Sequence, residues 1–316
     1  MGDPHVSVVI PTKNSSSTLS NCLQSLVRQE YTNFEIIVVD GHSKDNTIEI
    51  AKKYTNKVFF EEGETRASGC NVGIQHAQGD IIAFTDDDCE VPKDWLTQIV
   101  SNFEDETLDV LGGSTKTPEK SSKIEKAFGA VQNDLLSLTN SWESTRAACD
   151  NVIGCNSAYR KATLIDAGGF NEKLPTAEET ELHFRLKQAG KQIRYLGSLF
   201  VVHNRRCSVR QYWKQQFRFG VGTGKWERSN LSAIKASNFL AQLLIFGSFV
   251  FLPILAILGF LTIVVGILLV GIFLLLVVSL YASVKEEQLS LFPFIILASI
   301  IWSYSQGLGQ LRGFFS

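Results

Sequence analysis

The sequence predicts an α/β fold, a doubly wound and mostly parallel sheet, followed by C-terminal transmembrane helices. Three observations predict it. Val6-Ser7-Val8-Val9-Ile10-Pro11 and Glu35-Ile36-Ile37-Val38-Val39-Asp40 are short β-branched apolar runs of the kind that are buried on both faces. Helical spacing lies between them, with Leu19, Cys22, Leu23 and Leu26 on one face. Far downstream, Phe239 to Val284 contains no charged residue.

The first two observations make a βαβ unit, which implies a right-handed crossover. The pattern recurs as a helix over 45–54, a strand over 57–60, a helix over 66–78 and a strand over 80–84. Ligands of such sheets bind beyond the carboxyl ends of the strands. Those ends carry Thr12-Lys13-Asn14, Asp40-Gly41-His42-Ser43 and Asp86-Asp87-Asp88, so polar residues gather where a ligand would sit. After Gly112-Gly113 the alternation weakens, leaving a helix over 124–138 and a polar loop over 139–146.

The long uncharged run exceeds one membrane crossing of about 20 residues. It divides into spans at 239–258 and 261–283, with Gly259 at the turn, and the apolar run at 289–311 makes a third. The rival arrangement is an interfacial hairpin with one true span. Arg205, Arg206, Arg210, Lys214, Arg218, Lys225, Arg228 and Lys235 precede the first span against Glu227 alone, although the whole chain carries only −2. Such a basic segment stays on the cytoplasmic side and is attracted to anionic membrane lipids. The chain is therefore expected to be a multi-pass membrane protein with its soluble domain facing the cytoplasm, and no nucleic-acid partner is expected. The six cysteines (22, 70, 89, 149, 155 and 207) form no CxxC pair and no zinc spacing with histidine. They are read as reduced core residues, in keeping with that compartment.

Asp86, Asp87 and Asp88 end an apolar strand, where three carboxylates repel one another unless solvent or a cation compensates them. A Mg²⁺ or Mn²⁺ ion bridging to a diphosphate would do so. In this context the sequence resembles the family 2 glycosyltransferases of the GT-A fold, over nearly all of residues 6 to 220. Val8 to Asn14 matches the family's opening strand. Glu35 to Thr47 matches the second, whose Asp, here Asp40, contacts the nucleotide base. Arg66-Ala67-Ser68-Gly69-Cys70-Asn71-Val72-Gly73 is similar to the helix that carries the family's arginine and asparagine. Phe84 to Asp88 aligns with its DxD motif as Asp86 and Asp88.

The resemblance implies a nucleotide-sugar-binding half at 1–115, an acceptor half at 116–204, a basic amphipathic interfacial segment at 205–238 and a membrane region at 239–316. Pro11, Thr12, Asn14, Asp40, Arg66, Asp86, Asp87 and Arg218 are expected around a UDP- or GDP-sugar. Asp88, Asp86 and His203, which ends an apolar strand, are expected to hold Mn²⁺ or Mg²⁺. Ala177-Glu178-Glu179-Thr180-Glu181-Leu182 resembles the segment that supplies the general base. Glu179 matches the base position, where the family usually has Asp, and Glu178 stays in play. An acidic helix start also suits the helix dipole without any chemistry. Gln215-Gln216-Phe217-Arg218-Phe219 resembles the QxxRW signature of processive synthases, with Phe219 in place of Trp. Gln215, Phe219 and Asn156 are assigned to the acceptor. An amphipathic helix lying at the membrane surface explains the same basic and aromatic mixture.

A carboxylate base is needed by a hydroxyl acceptor and not by an ionised polyprenyl phosphate. The expected reaction is therefore inverting transfer to a hydroxyl of a lipid-linked glycan. A polyprenyl-phosphate glycosyltransferase, a processive polysaccharide synthase and a catalytically silent adaptor of the same fold are the alternatives, in that order.

Overall fold

The computed structural model describes residues 4–139, 147–149, 151–205, 208–231, 257 and 261–316. By packing, the chain divides into one unit of Met1–Glu119 with Leu135–Arg205 and a second of Lys120–Asp134 with Arg206–Ser316.

The first unit is built on β1 (Val6–Thr12), β2 (Phe34–Asp40), β3 (Val58–Phe60) and β4 (Ile81–Thr85), which pair in parallel in the order β3-β2-β1-β4. Alternate residues of these strands point to opposite faces. Val6, Val8, Ile10, Ile36, Val38 and Ile81 pack with Leu19, Leu23 and Leu26 of α1 (Leu19–Leu26) and with Trp95 and Ile99 of α4 (Trp95–Phe103). Val9, Ile37, Val39, Ile82 and Phe84 pack on the other face with Ala67 and Cys70 of α3 (Arg66–His76) and Leu182 and Leu186 of α7 (Glu178–Gln188). Thr65 caps α3 through its side chain, which accepts from the Ser68 N–H at 3.2 Å. Two short helices, α2 (Thr47–Ala51) and α6 (Lys161–Asp166), follow β2 and β8.

Beyond β4 the sheet becomes mixed. β8 (Asn156–Arg160) lies antiparallel between β4 and β6 (Leu108–Lys116), and β6 runs parallel to β9 (Gln192–His203). This refines the mostly parallel expectation. The regular βαβ signature fades after residue 112 because β8 runs antiparallel to both of its neighbours, so successive strands no longer form parallel units. The two-residue strands β5 (Cys89–Glu90) and β7 (Ala147–Ala148) pair antiparallel to β9, with Cys89 directly opposite His203.

In the second unit, the Lys120–Asp134 part of α5 (Lys123–Thr139) stacks Phe128 on Tyr212 of α8 (Val209–Ser229), ring centroids 3.8 Å apart. α8 packs along α10 (Phe292–Phe315) through glycines four residues apart on each helix. A Cβ at Gly224 would lie 1.9 Å from the Gln310 carbonyl oxygen, and one at Gly309 would lie 2.1 Å from that of Phe217. Small residues at this spacing let two helix backbones touch. The buried Gln310 amide donates to Glu227 at 2.5 Å. The polar loop at 139–146 lies outside the described residues, apart from Thr139. So does nearly all of the span expected at 239–258. Two helical segments, Val264–Val284 within α9 (Leu261–Lys285) and Leu289–Phe315, are long and apolar enough to cross a membrane. α9 leaves Leu269, Val270, Phe273 and Leu274 exposed, as a lipid-facing helix would.

Candidate active site

Because β1, β2 and β4 are parallel, their carboxyl ends open on one edge. The turns there are stapled together by side chains. The Asn14 N–H donates to Ser43 Oγ at 2.7 Å, and its own Oδ1 accepts from the Lys44 N–H at 2.8 Å. The Ser15 N–H donates to Thr47 Oγ1 at 2.8 Å. Asp40 is fully buried. Its Oδ2 accepts from the Ser43 N–H at 2.7 Å, while Oδ1 has no hydrogen-bond partner among the described residues. A buried carboxylate oxygen in that condition is costly and calls for a donor. The imide or amidine N–H of a nucleobase is such a donor.

Asn14, His42 and Ala177 hold positive φ angles of 52°, 58° and 68°. Non-glycine residues resist this conformation, and it gathers at sites where backbone direction matters. Ala177 immediately precedes α7, whose first turn begins with Glu178 and Glu179.

Arg66 joins the two acidic groups. Its Nη2 donates to Asp86 Oδ1 at 2.8 Å, and its Nη1 donates to Glu179 Oε1 at 2.8 Å and to Glu178 Oε1 at 3.3 Å. Burial, reinforced by repulsion from Glu178, pushes the Glu179 carboxyl up to about 7, and Arg66 opposes that rise. A carboxylate of that pKa suits proton abstraction near neutral pH. Glu178 is 4% exposed and Glu179 is more open, which favours Glu179 for contact with a substrate. Gly154 makes room for it: a Cβ there would lie 1.9 Å from Glu179 Oε1.

Asp87 turns away to accept from Ser15 Oγ at 2.5 Å, and burial raises its carboxyl to about 6. Asp88 Oδ1 lies 3.2 Å from His203 Nε2, and that carboxylate raises the imidazole pKa against the effect of burial. The two half-buried groups, with Asp86 on the same turn, offer the oxygen and imidazole donors that Mn²⁺ accepts. The donor set fits such an ion. Asp86 is shared with Arg66, so Asp88 and His203 are the better-disposed pair.

The model of glycosyl transferase family 2 matches residues 7–167. The chain belongs to this family. Among relatives of family 2, glycosyltransferase AglE of Haloferax volcanii is 29% identical over 69% of this chain and 73% of its own. The poly-beta-1,6-N-acetyl-D-glucosamine synthase of Staphylococcus aureus is 24% identical over 76% of this chain, which spans 60% of that protein. Two solved structures share the fold. Mannosyltransferase PcManGT from Pyrobaculum calidifontis, in complex with GDP-Man and Mn²⁺, has a TM-score of 0.64 at 19% identity, over 95% of this chain and 87% of that one. S. aureus TarS, in complex with UDP-GlcNAc, has a TM-score of 0.50 at 22% identity, over 69% and 66%. This chain is a family 2 glycosyltransferase with the GT-A fold.

Pro11, Thr12, Asn14, Asp40, Arg66, Asp86, Asp87, Asp88, Glu178, Glu179 and His203 all stand in the first unit, the last three beyond the residues that the family 2 model matches. Asn156 departs from its expected role at the acceptor. It is fully buried, its Nδ2 donates to the Ser114 and Leu199 carbonyls at 2.8 and 2.9 Å, and its Oδ1 accepts from Trp95 Nε1 at 2.9 Å. Its amide is consumed in joining β6, β8, β9 and α4. Gln215, Arg218 and Phe219 lie on α8 of the second unit, with Gln215 half-buried and the other two exposed.

Sequence reasoning missed Glu61 and Gly154. Glu61 is 7% exposed beside Gly41, its Oε1 is 4.0 Å from Lys13 Nζ, and burial raises its pKa. Nothing local marks either residue, since each matters only through neighbours distant in sequence. Asn71, already noted in the family's helix, pins the Gly168–Glu172 segment. Its side chain bonds Phe170 at both N–H and carbonyl, and Glu172 Oε1 at 2.7 Å.

Proposed function

We propose that this chain is a membrane-bound inverting glycosyltransferase. It would move a sugar from a UDP- or GDP-sugar to a hydroxyl of a lipid-linked glycan. The observation that carries the reading is the Arg66 bridge, which sets Glu179, with a pKa of about 7, beside the Asp86-Asp87-Asp88 strand end.

Asp40 accepts from the nucleobase through its unpartnered Oδ1, while Pro11, Thr12 and the turn fixed by Asn14 flank the base and ribose. Asp88 and His203, with Asp86, would hold Mn²⁺ or Mg²⁺. When bound, that ion offsets the charge that develops on the departing diphosphate. Glu179 takes the proton of the acceptor hydroxyl as its oxygen attacks the anomeric carbon from the face opposite the diphosphate, which gives inversion. Arg66 holds the base in place and favours its ionised form. α9 and the Leu289–Phe315 segment would embed in the bilayer, and α8 carries basic and aromatic residues suited to a membrane surface. The catalytic domain would then lie on the cytoplasmic face.

The test is a screen of UDP-, GDP- and dTDP-sugars with Mn²⁺ or Mg²⁺, comparing wild type with Asp88→Ala and Glu179→Gln. Each variant is expected to lose about a hundredfold or more in turnover. Equal turnover of wild type and Asp88→Ala would sink the metal assignment. Equal turnover of Glu179→Gln would sink the base.

A further inference from the structure

Behind Asp88 and His203 lie two thiols that sugar transfer does not use. Cys89 is fully buried on β5, directly opposite His203 on β9. Cys155, 8% exposed, immediately precedes β8. Cys89 Sγ, Cys155 Sγ and a ring nitrogen of His203 all lie within 4.8 Å of one another. Asp88 completes the group, with its Oδ1 3.2 Å from His203 Nε2 and 3.8 Å from Cys89 Sγ. Four donors thus converge, two sulfur, one nitrogen and one oxygen.

Their spacing has a chemical meaning. With Zn–S bonds of about 2.3 Å and Zn–N or Zn–O bonds of about 2.0–2.2 Å, a tetrahedral zinc site has ligand edges of about 3.3 Å for nitrogen to oxygen and about 3.5 Å for sulfur to oxygen. The observed 3.2 and 3.8 Å edges sit close to those values. Thiolates do not suit Mg²⁺ or Mn²⁺, whereas Cys₂His with a carboxylate is a donor set that zinc accepts. A cation serving only a diphosphate would make no use of the two sulfurs. β-Sheet pairing sets Cys89 directly opposite His203, so the backbone positions two of the four ligands.

We propose that Cys89, Cys155, His203 and Asp88 form a site for a thiophilic divalent cation, Zn²⁺ above all, and that its occupation withdraws Asp88 and His203 from the sugar-nucleotide cation. Binding stands on the ligand geometry alone. The inhibitory consequence rests on the proposed sugar transfer.

The experiment uses the full-length protein, reduced and freed of metal, with Co²⁺ as the probe. A thiolate-to-cobalt charge-transfer absorption and intense tetrahedral d–d bands are expected, and Zn²⁺ should abolish them at one equivalent. Cys89→Ser and Cys155→Ser should each weaken Zn²⁺ binding more than about tenfold. Cys149→Ser, at a buried cysteine outside the group, should leave the spectrum unchanged. A wild-type spectrum with only weak octahedral bands would overturn the site, whatever the variants do. So would a charge-transfer band of undiminished intensity in both Cys89→Ser and Cys155→Ser. In turnover supported by Mn²⁺, added Zn²⁺ should inhibit wild type and spare Cys155→Ser. A zinc spectrum without inhibition would overturn the regulatory half only. The spectrum reads the site even if no sugar is transferred, so failure of the transferase reading stays separate.

Discussion

Arg66 spans Asp86 and Glu179, with a nitrogen 2.8 Å from a carboxylate oxygen of each. One guanidinium thereby connects the end of β4 to the start of α7, and it offsets three carboxylates at once. Replacing it with Ala leaves those carboxylates uncompensated. Arg66→Ala is expected to lose about 2 kcal/mol of stability, measured by denaturant unfolding, and to raise the pKa of Glu179 further. Arg66→Lys should recover charge but not the fork, and so only part of the activity.

The Glu179 pKa of about 7 sets a pH dependence. The base works when ionised, so kcat/KM should climb as pH rises through about 7, and Glu179→Gln should flatten that limb. Stability runs the other way. The folded pKa is raised above the unfolded value of about 4.3, so the group's contribution is fully present below that value and is lost as pH rises through about 7. Thermal unfolding of wild type against Glu179→Gln across this window reads the difference. An identical pH profile of kcat/KM in both proteins would refute the assignment.

Gly154 is required by volume. A methyl there would occupy the space of Glu179 Oε1, at 1.9 Å, and would crowd Arg66 Nη1, at 2.9 Å. Gly154→Ala is expected to reduce kcat by at least about tenfold through displacement of the base. The circular dichroism spectrum should stay close to wild type, because the collision is with side chains.

Asp40→Asn keeps the acceptor for the Ser43 N–H but replaces a carboxylate with an amide at the buried edge. The KM for the nucleotide sugar should rise about tenfold, equivalent to about 1.4 kcal/mol, with kcat little changed. A fall in kcat alone would place Asp40 outside the base pocket.

Ala177 at φ 68° offers a gain instead of a loss. Ala177→Gly removes the left-handed penalty and is expected to stabilise the protein by about 0.5–1 kcal/mol, read as a higher unfolding midpoint. If the strain holds Glu179 in position, kcat falls at the same time.

The amino-acid sequence by itself determined the parallel half of the sheet and the apolar C-terminal helices, because both are written in local patterns. β-Branched runs are buried on both faces, and long uncharged stretches reach membrane length. It also put Asp40, Asp86 and Asp88 at strand ends, since parallel pairing brings those ends to one edge. Only the tertiary structure decided that Arg66 bridges Asp86 to Glu179, that Gly154 clears space for the base, and that Asn156 is consumed in the core. These depend on packing between residues far apart in sequence. The cysteines make the same point most sharply. Their spacing carries no zinc pattern, yet β5 pairing with β9 sets Cys89 against His203, and the chain entering β8 delivers Cys155 beside them. Ligand spacing along a sequence marks a metal site only when the ligands share one local turn or helix, and here sheet pairing assembles them.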